Sequence, residues 1–251
     1  MSNPYFKNLE RIEFIISYAC TGSCKHCSVG EGNNRTVSID KDSAVRAVFD
    51  IAELYDIKSV MTFGGEPLLY PHTVCAIHGA ARESGIPHRQ LITNGYFSKD
   101  RDVIKRVAAD LANSGVNDLL LSADAFHQET IPLEYVEAFG SYALYYGIKL
   151  RSQPAWLVSA THSNPYNQKT RAIIDRLSEI GIKEGEGNVV FPQGNALKYL
   201  SEYFPADVKA FSPYEENPAD LHSVSIEPDG TLLGGNIYKE DVESILNEYT
   251  P

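Results

Sequence analysis

The run Ile12-Glu13-Phe14-Ile15-Ile16-Ser17-Tyr18 passes directly into Ala19-Cys20-Thr21-Gly22-Ser23-Cys24-Lys25-His26-Cys27. An apolar stretch of strand length followed by a short loop puts three thiols at one strand end. Thiolates spaced C-x3-C-x2-C can wrap one corner of an iron-sulfur cube and bind three of its irons, and the fourth iron then lacks a protein ligand. The same residues also admit a structural zinc site, in which three thiolates and a distant histidine such as His72 complete a tetrahedron.

Outward from this loop the chain alternates. Apolar runs of strand length recur at residues 12–17, 59–63, 89–93, 118–122, 149–152 and 188–191, and helical spacing fills 40–55, 71–84, 100–114, 133–146 and 164–180. Boundary signals agree: Ser38 and Asp40 near the first helix, Pro71 opening the second, and Gly85, Gly115, Gly147 and Gly181 just past helix ends. Such a chain builds right-handed βαβ units and a parallel sheet, so the class is α/β. Six strands fit either a partial TIM-type barrel or a doubly wound sheet, and periodicity does not separate them.

Beyond residue 192 the pattern changes. A short helix is expected near 195–204, a proline- and acid-rich stretch covers 212–220, residues 223–227 and 231–233 read as a hairpin around Pro228-Asp229-Gly230, and a last helix spans 240–249. The expected organisation is a barrel over 1–192 and a hairpin-plus-helix extension over 193–251, packed on the barrel and not an independent domain.

The chain has 251 residues, enough for a large core, and only four cysteines, three of them clustered. No disulfide framework is implied, and a reducing cytosol is the natural setting. The N-terminal residues lack a charged segment followed by a long apolar one, and no apolar run approaches a membrane span, so the expectation is a cytoplasmic, unanchored protein. Lys plus Arg number 22 against 33 Asp plus Glu, a formal charge of -11, which argues against nucleic acid as a partner. A local basic pocket from Lys25, Arg35, Arg89 or Arg151 stays open to an anionic group.

In α/β sheets ligands bind beyond the carboxyl ends of the strands. The second strand ends in Thr62-Phe63-Gly64-Gly65-Glu66-Pro67, the third in Thr93-Asn94-Gly95 and the fourth in Ser122-Ala123-Asp124-Ala125-Phe126-His127. Paired glycines let a ligand approach the backbone closely and expose its amides and carbonyls. Cysteine, glycine-glutamate, asparagine-glycine and serine-aspartate-histidine clusters thus converge on one rim.

With Cys20, Cys24 and Cys27 after the first strand and Gly64-Gly65-Glu66 after the second, the chain resembles the radical S-adenosylmethionine (radical SAM) superfamily over roughly residues 10 to 192. The resemblance implies a partial (β/α)6 TIM-type barrel, a 4Fe-4S cluster held by Cys20, Cys24 and Cys27, and S-adenosylmethionine (SAM) chelating the open iron. It implies that Gly64, Gly65 and Glu66 hold the methionine ammonium, that Asn94, Ser122 and Asp124 face the cofactor, and that Arg151 pairs with its carboxylate. Backbone at Val190 on the sixth strand would meet the adenine edge, and His26 would stack on the adenine or bond a cluster sulfide. His127 is a candidate catalytic group, and Cys75 a candidate hydrogen donor to a substrate radical as well as an ordinary buried thiol. An electron donor such as flavodoxin or ferredoxin is implied as a partner.

One leftover thiol cannot ligate a second cluster. The segment 223–238 resembles the C-terminal hairpin of peptide-modifying SPASM or twitch enzymes without their cysteines. The resemblance implies hydrogen abstraction from a peptide, by epimerisation or crosslinking, or from a small metabolite. A glycyl-radical-enzyme activase is a second reading, against which Ser122-Ala123-Asp124 replaces the expected Asp-x-Lys. A zinc-stabilised binding module is the reading from another class.

Overall fold

The computed structural model describes residues 3–31 and 36–251, so Arg35 lies outside the described residues. Strands β1 (Arg11–Ile15), β2 (Ser59–Phe63), β3 (His88–Thr93), β4 (Asp118–Leu121), β5 (Leu150–Ser152), β6 (Ala155–Trp156), β7 (Lys183–Glu184), β8 (Asn188–Val189), β9 (Ser223–Ile226), β10 (Thr231–Leu232) and β11 (Gly235–Asn236) alternate in the first two thirds with helices. The helices are α1 (Lys41–Leu54), α2 (Pro71–Glu83), α3 (Arg101–Ser114), α4 (Leu133–Tyr145), α5 (Pro165–Glu179), α6 (Asn195–Tyr199) and α7 (Val242–Glu248). Their ends follow local chemistry. Asp40, Asp100 and Asn164 cap α1, α3 and α5 by accepting from amides in the first turn, Pro71 opens α2, and Gly115 ends α3 in the left-handed conformation that glycine adopts without cost.

The principal sheet has seven strands in the order β7-β5-β4-β3-β2-β1-β9, each pairing parallel to its neighbours. Helix-side residues of successive strands, Ile12 and Phe14, Val60, Leu91, Leu119 and Leu121, and Leu150, share one buried core with apolar residues of α1 to α4. Alternate residues Arg11 and Glu13 on β1 are only partly buried, on the face away from that core. Helices on one side of an all-parallel sheet give the α/β partial TIM-type barrel expected.

Two strand assignments are corrected. The sheet edge after β5 is β7, whereas β8, read as the sixth barrel strand, pairs with β6 in a separate two-stranded ribbon. The polar, short β7 (Lys183-Glu184) carries no apolar run, so periodicity could not find it. At the other edge, the turn after β9 closes with the Glu227 amide on the Thr231 carbonyl at 3.0 Å, but β9 forms no ladder with residues 231–233. It pairs parallel with β1, and the C-terminal hairpin forms between β10 and β11 around Leu233 and Gly234, both at positive φ. Val224 and Ile226, fully buried, explain the choice, because beside β1 they join the main core. Asn3 at the start of the chain donates to the Leu246 and Tyr249 carbonyls at its end. Among the described residues no helix is long and apolar enough to cross a membrane.

Candidate active site at the strand ends

The cysteine loop and the glycine loop are locked main chain to main chain. The Gly65 amide donates to the Ser17 carbonyl at 2.7 Å and the Glu66 amide to the Ala19 carbonyl at 2.7 Å. A Cβ at Gly64, whose φ is 147°, would lie 2.5 Å from the Ser17 oxygen, and one at Gly65 would lie 2.1 Å from the Ala19 oxygen. The paired glycines therefore admit the strand leading into Cys20, and the Gly65 and Glu66 amides are engaged by it instead of exposed.

Glu66 is fully buried and ties this corner to β3. Its carboxylate accepts from the Leu68 amide at 2.9 Å, the Thr93 hydroxyl at 2.7 Å and the Asn94 amide at 2.9 Å. Burial pushes its pKa up to about 7, although the three donors pull the other way. A carboxylate offers about four lone-pair sites, so one stays available. Asn94 continues the chain of contacts: its side-chain amide lies 3.6 Å from Cys20 Sγ and 3.2 Å from the Thr21 hydroxyl. The Gly22 amide also points at Cys20 Sγ, at 3.3 Å. Ser122 is half-buried at the end of β4, its amide bonded to the Thr93 carbonyl at 2.8 Å.

Asp124 does not face a ligand. Fully buried, it accepts from the Phe126, His127 and Ala155 amides, and its Oδ2 lies 2.8 Å from His127 Nδ1. Burial alone would raise the carboxyl pKa, but the His127 ring and His26 outweigh it and hold it well below the usual carboxylate range. Asp124 thus orients His127. Next to this pair, the His26 ring packs against Phe126 at a centroid distance of 4.9 Å and edge-on to His127 at 4.8 Å. His26 Nδ1 is sealed from water and has no hydrogen-bond partner, and burial lowers the ring's pKa to about 4.

Asn195 escaped the sequence reading. This buried residue donates from its amide to the Cys27 carbonyl at 2.9 Å and from its side chain to the Cys24 carbonyl at 3.0 Å. Gly194 before it has φ 55°, and a Cβ there would meet the Ser28 oxygen at 2.4 Å. The only signal was Gly194-Asn195 opening a short helix, a pattern indistinguishable from an ordinary turn.

Other expected residues lie elsewhere. Arg151 makes a forked ion pair with Asp118 at the start of β4, away from the carboxyl-end rim. That pair ends a polar ladder on the open face of the sheet: Ser225 to Glu13 (3.0 Å), Glu13 to Arg11 (2.9 Å), Arg11 to Gln90 (2.8 Å) and Gln90 to Asp118 (2.6 Å). A cavity of about 540 Å³ opens beside Arg151, lined also by Leu120, Gln153 and Glu184. The Val190 amide is bonded to Trp156 at 2.9 Å, and its side chain packs under Phe126 in a small second core. Cys75 is half-buried on α2 against Ser114 of α3, on the helix side of the sheet, so it cannot reach the barrel mouth. His72 is exposed in the first turn of α2. Lys25 pairs with Glu129 at 3.1 Å, and Arg89 bonds the Gly115 carbonyl at 2.6 Å, so these cations do not converge with Arg151 on an anion site.

Comparison with known proteins agrees with this architecture. The chain is 25% identical over 219 residues to a Saccharolobus islandicus protein named "Probable GTP 3',8-cyclase", covering 81% of this chain and 67% of that one. Its fold is similar to that of Streptococcus suis SuiB bound to S-adenosylmethionine (TM-score 0.62, 14% identity, 96% of this chain and 66% of SuiB). It is likewise similar to anSMEcpe with bound AdoMet and the Kp18Cys peptide (TM-score 0.59, 13% identity, 96% and 80%). The chain thus spans about two thirds of the length of the first two. Residues 14–202 match the radical SAM superfamily, three quarters of the chain and the ends of β1 to β4, and the chain belongs to that superfamily of enzymes, whose cofactors are a 4Fe-4S cluster and S-adenosylmethionine.

Proposed function

We propose that Cys20, Cys24 and Cys27 hold the cluster, that SAM lies across the ends of β1 to β4, and that the enzyme abstracts hydrogen from a peptide substrate on the open face of the sheet. The observation that carries this reading is the main-chain lock between residues 17–19 and Gly64-Gly65, which fixes the thiol loop relative to Glu66. The residues suit the group: three thiols share one loop, and amide donors from Gly22 and Asn94 point at Cys20 Sγ, as N–H groups do around iron-sulfur thiolates. When bound, cluster and SAM together supply a hydrogen-abstracting carbon radical.

The chain's own residues then bind, orient and shield. Glu66, braced by three donors, keeps a lone pair for the methionine ammonium, with the carbonyls of Gly64 and Gly65 beside it. Asn94 steadies Cys20 while its main chain fixes Glu66, and Ser122 stands at the next strand end. His26, backed by Phe126, offers a ring wall to the adenine, and His127, held by Asp124, is the polar group beside it. Arg151, paired with Asp118, and Asp124, turned onto His127 and three amides, are left out of the SAM site in this reading.

A peptide is favoured over a nucleoside triphosphate for an electrostatic reason. Arg11 and Arg151 on the open face are already paired with Glu13 and Asp118, and a chain of charge -11 repels polyphosphate. The ladder instead offers alternating donors and acceptors, which suit amide groups, and the cavity beside Arg151 has the size of an ordinary ligand site. An electron donor such as flavodoxin or ferredoxin would complete the cycle.

Anaerobic reconstitution with iron and sulfide tests the reading. The expected outcome is a brown protein with four irons per chain that forms 5'-deoxyadenosine from SAM under reduction, and deuterium from a labelled substrate peptide in that product. Chain stripped of bound metal before reconstitution that still stays colourless, and forms no 5'-deoxyadenosine, would overturn it.

A further inference from the structure

Cys24, His26 and His127 each offer a ligand atom, and these atoms all lie within 4.8 Å of one another. Their setting is that of a metal site. His127 Nδ1 is taken by Asp124 Oδ2 at 2.8 Å, which fixes the ring and leaves Nε2 as its coordinating atom, the carboxylate-histidine arrangement found behind metal-bound imidazoles. Asp124 is itself held by three main-chain amides and cannot swing away. His26 carries a buried nitrogen with no partner, a costly vacancy for a polar atom unless something binds there. Cys24 is buried beside both rings, and its carbonyl is pinned by Asn195.

We propose that the cluster-free chain binds one divalent transition-metal ion, zinc being the best match, through Cys24 Sγ, His26 and His127 Nε2, with a water in the fourth position. Zinc bonds of about 2.3 Å to sulfur and 2.0–2.1 Å to nitrogen set tetrahedral edges of about 3.5 Å, and the three residues already bring a ligand atom each within 4.8 Å of the others. One thiol and two imidazoles suit zinc or cobalt(II) better than calcium or magnesium, which take oxygen ligands. On binding, the Cys24 proton leaves to solvent and the two neutral rings keep their remaining N–H. Cys24 cannot serve this ion and the cluster together. Occupancy by zinc and by the cluster is therefore mutually exclusive, and the ion holds the rim of the cluster-free protein in order while blocking cluster assembly until it is withdrawn.

The competing site would use the three thiols of Cys20, Cys24 and Cys27. Cobalt(II) titration of the cluster-free full chain under anaerobic conditions separates the two. The expected result is one ion per chain, with a thiolate-to-cobalt charge-transfer band and the visible bands of a tetrahedral ion. Cys20→Ala and Cys27→Ala should leave binding unchanged, His26→Ala and His127→Ala should each weaken it by at least about tenfold, and Asp124→Asn by about tenfold. X-ray absorption at the zinc edge of the unaltered chain should count one sulfur and two imidazole nitrogens, a result that does not depend on any variant folding. Absence of binding, loss of binding in Cys20→Ala or Cys27→Ala, or a zinc shell of three sulfurs would overturn the proposal.

Discussion

Glu66 sits where two demands meet, since the same carboxylate braces three donors and is buried from water. Its pKa, raised from 4.5 to about 7, means that the native state keeps a proton that the unfolded chain has lost across that window. Stability supported by the protonated form is complete below about pH 4.5 and declines as pH rises toward about 7. Chemical denaturation of the cluster-free protein at a series of pH values should show that decline, and Glu66→Gln should flatten it. Asn195 makes a second residue-scale prediction. Removing its side chain in Asn195→Ala takes the 3.0 Å donor from the buried Cys24 carbonyl and leaves it only the longer bond from the Cys27 amide at 3.3 Å, a loss of about 1 kcal/mol. Thermal unfolding should register that cost, and iron analysis after reconstitution should fall below the unaltered protein, with Asn195→Asp failing to restore it because a carboxylate cannot donate to a carbonyl. The thiols and Glu66 were legible because their spacing is local. Asp124 was misplaced because sequence shows a carboxylate near a strand end but not which way it turns, and four donors within reach turned it inward.

At the scale of elements, the glycine loop after β2 and the thiol loop after β1 behave as one unit. Gly65→Ala would force a Cβ to within 2.1 Å of a main-chain oxygen, which no rotamer relieves. The expected cost is about 3 kcal/mol or more, read as a fall in Tm, together with failure to assemble the cluster even in protein that remains folded by circular dichroism. Cys75→Ala offers the contrast: the thiol lies between α2 and α3 on the helix side, so SAM cleavage should be unchanged within experimental error. Strands β1 to β5 and all the long helices were readable, because apolar period and caps agree there. The failures were β6 and β7, which no apolar run announced, and the partners of β8 and β9. A two-residue edge strand has no period to detect, and β9 pairs with a strand about two hundred residues earlier, a partner that no local turn signal identifies.

For the whole molecule, β9 makes β1 an interior strand. Without it the strand that leads to Cys20 would be a sheet edge, with a row of unpaired amides and carbonyls open to other chains. Deleting residues 221–251 would also uncover Ile12, Phe14 and Leu9 where Val224, Ile226, Leu232, Ile245 and Leu246 cover the same core. Such a chain should be recovered mainly as aggregate in size-exclusion chromatography, while the full chain elutes as a defined species. The partial barrel was visible in the alternation of elements, but the closure at β1 was not, since it depends on which edge offers Val224 and Ile226 the larger apolar partner.

The lock between the two loops also bears on how such a chain can change over generations. Gly64 and Gly65 are held to glycine by oxygens of the opposing main chain, and those oxygens belong to every residue type alike. Constraint therefore runs one way across the contact: position 19 can drift in side chain, while 64 and 65 cannot follow it.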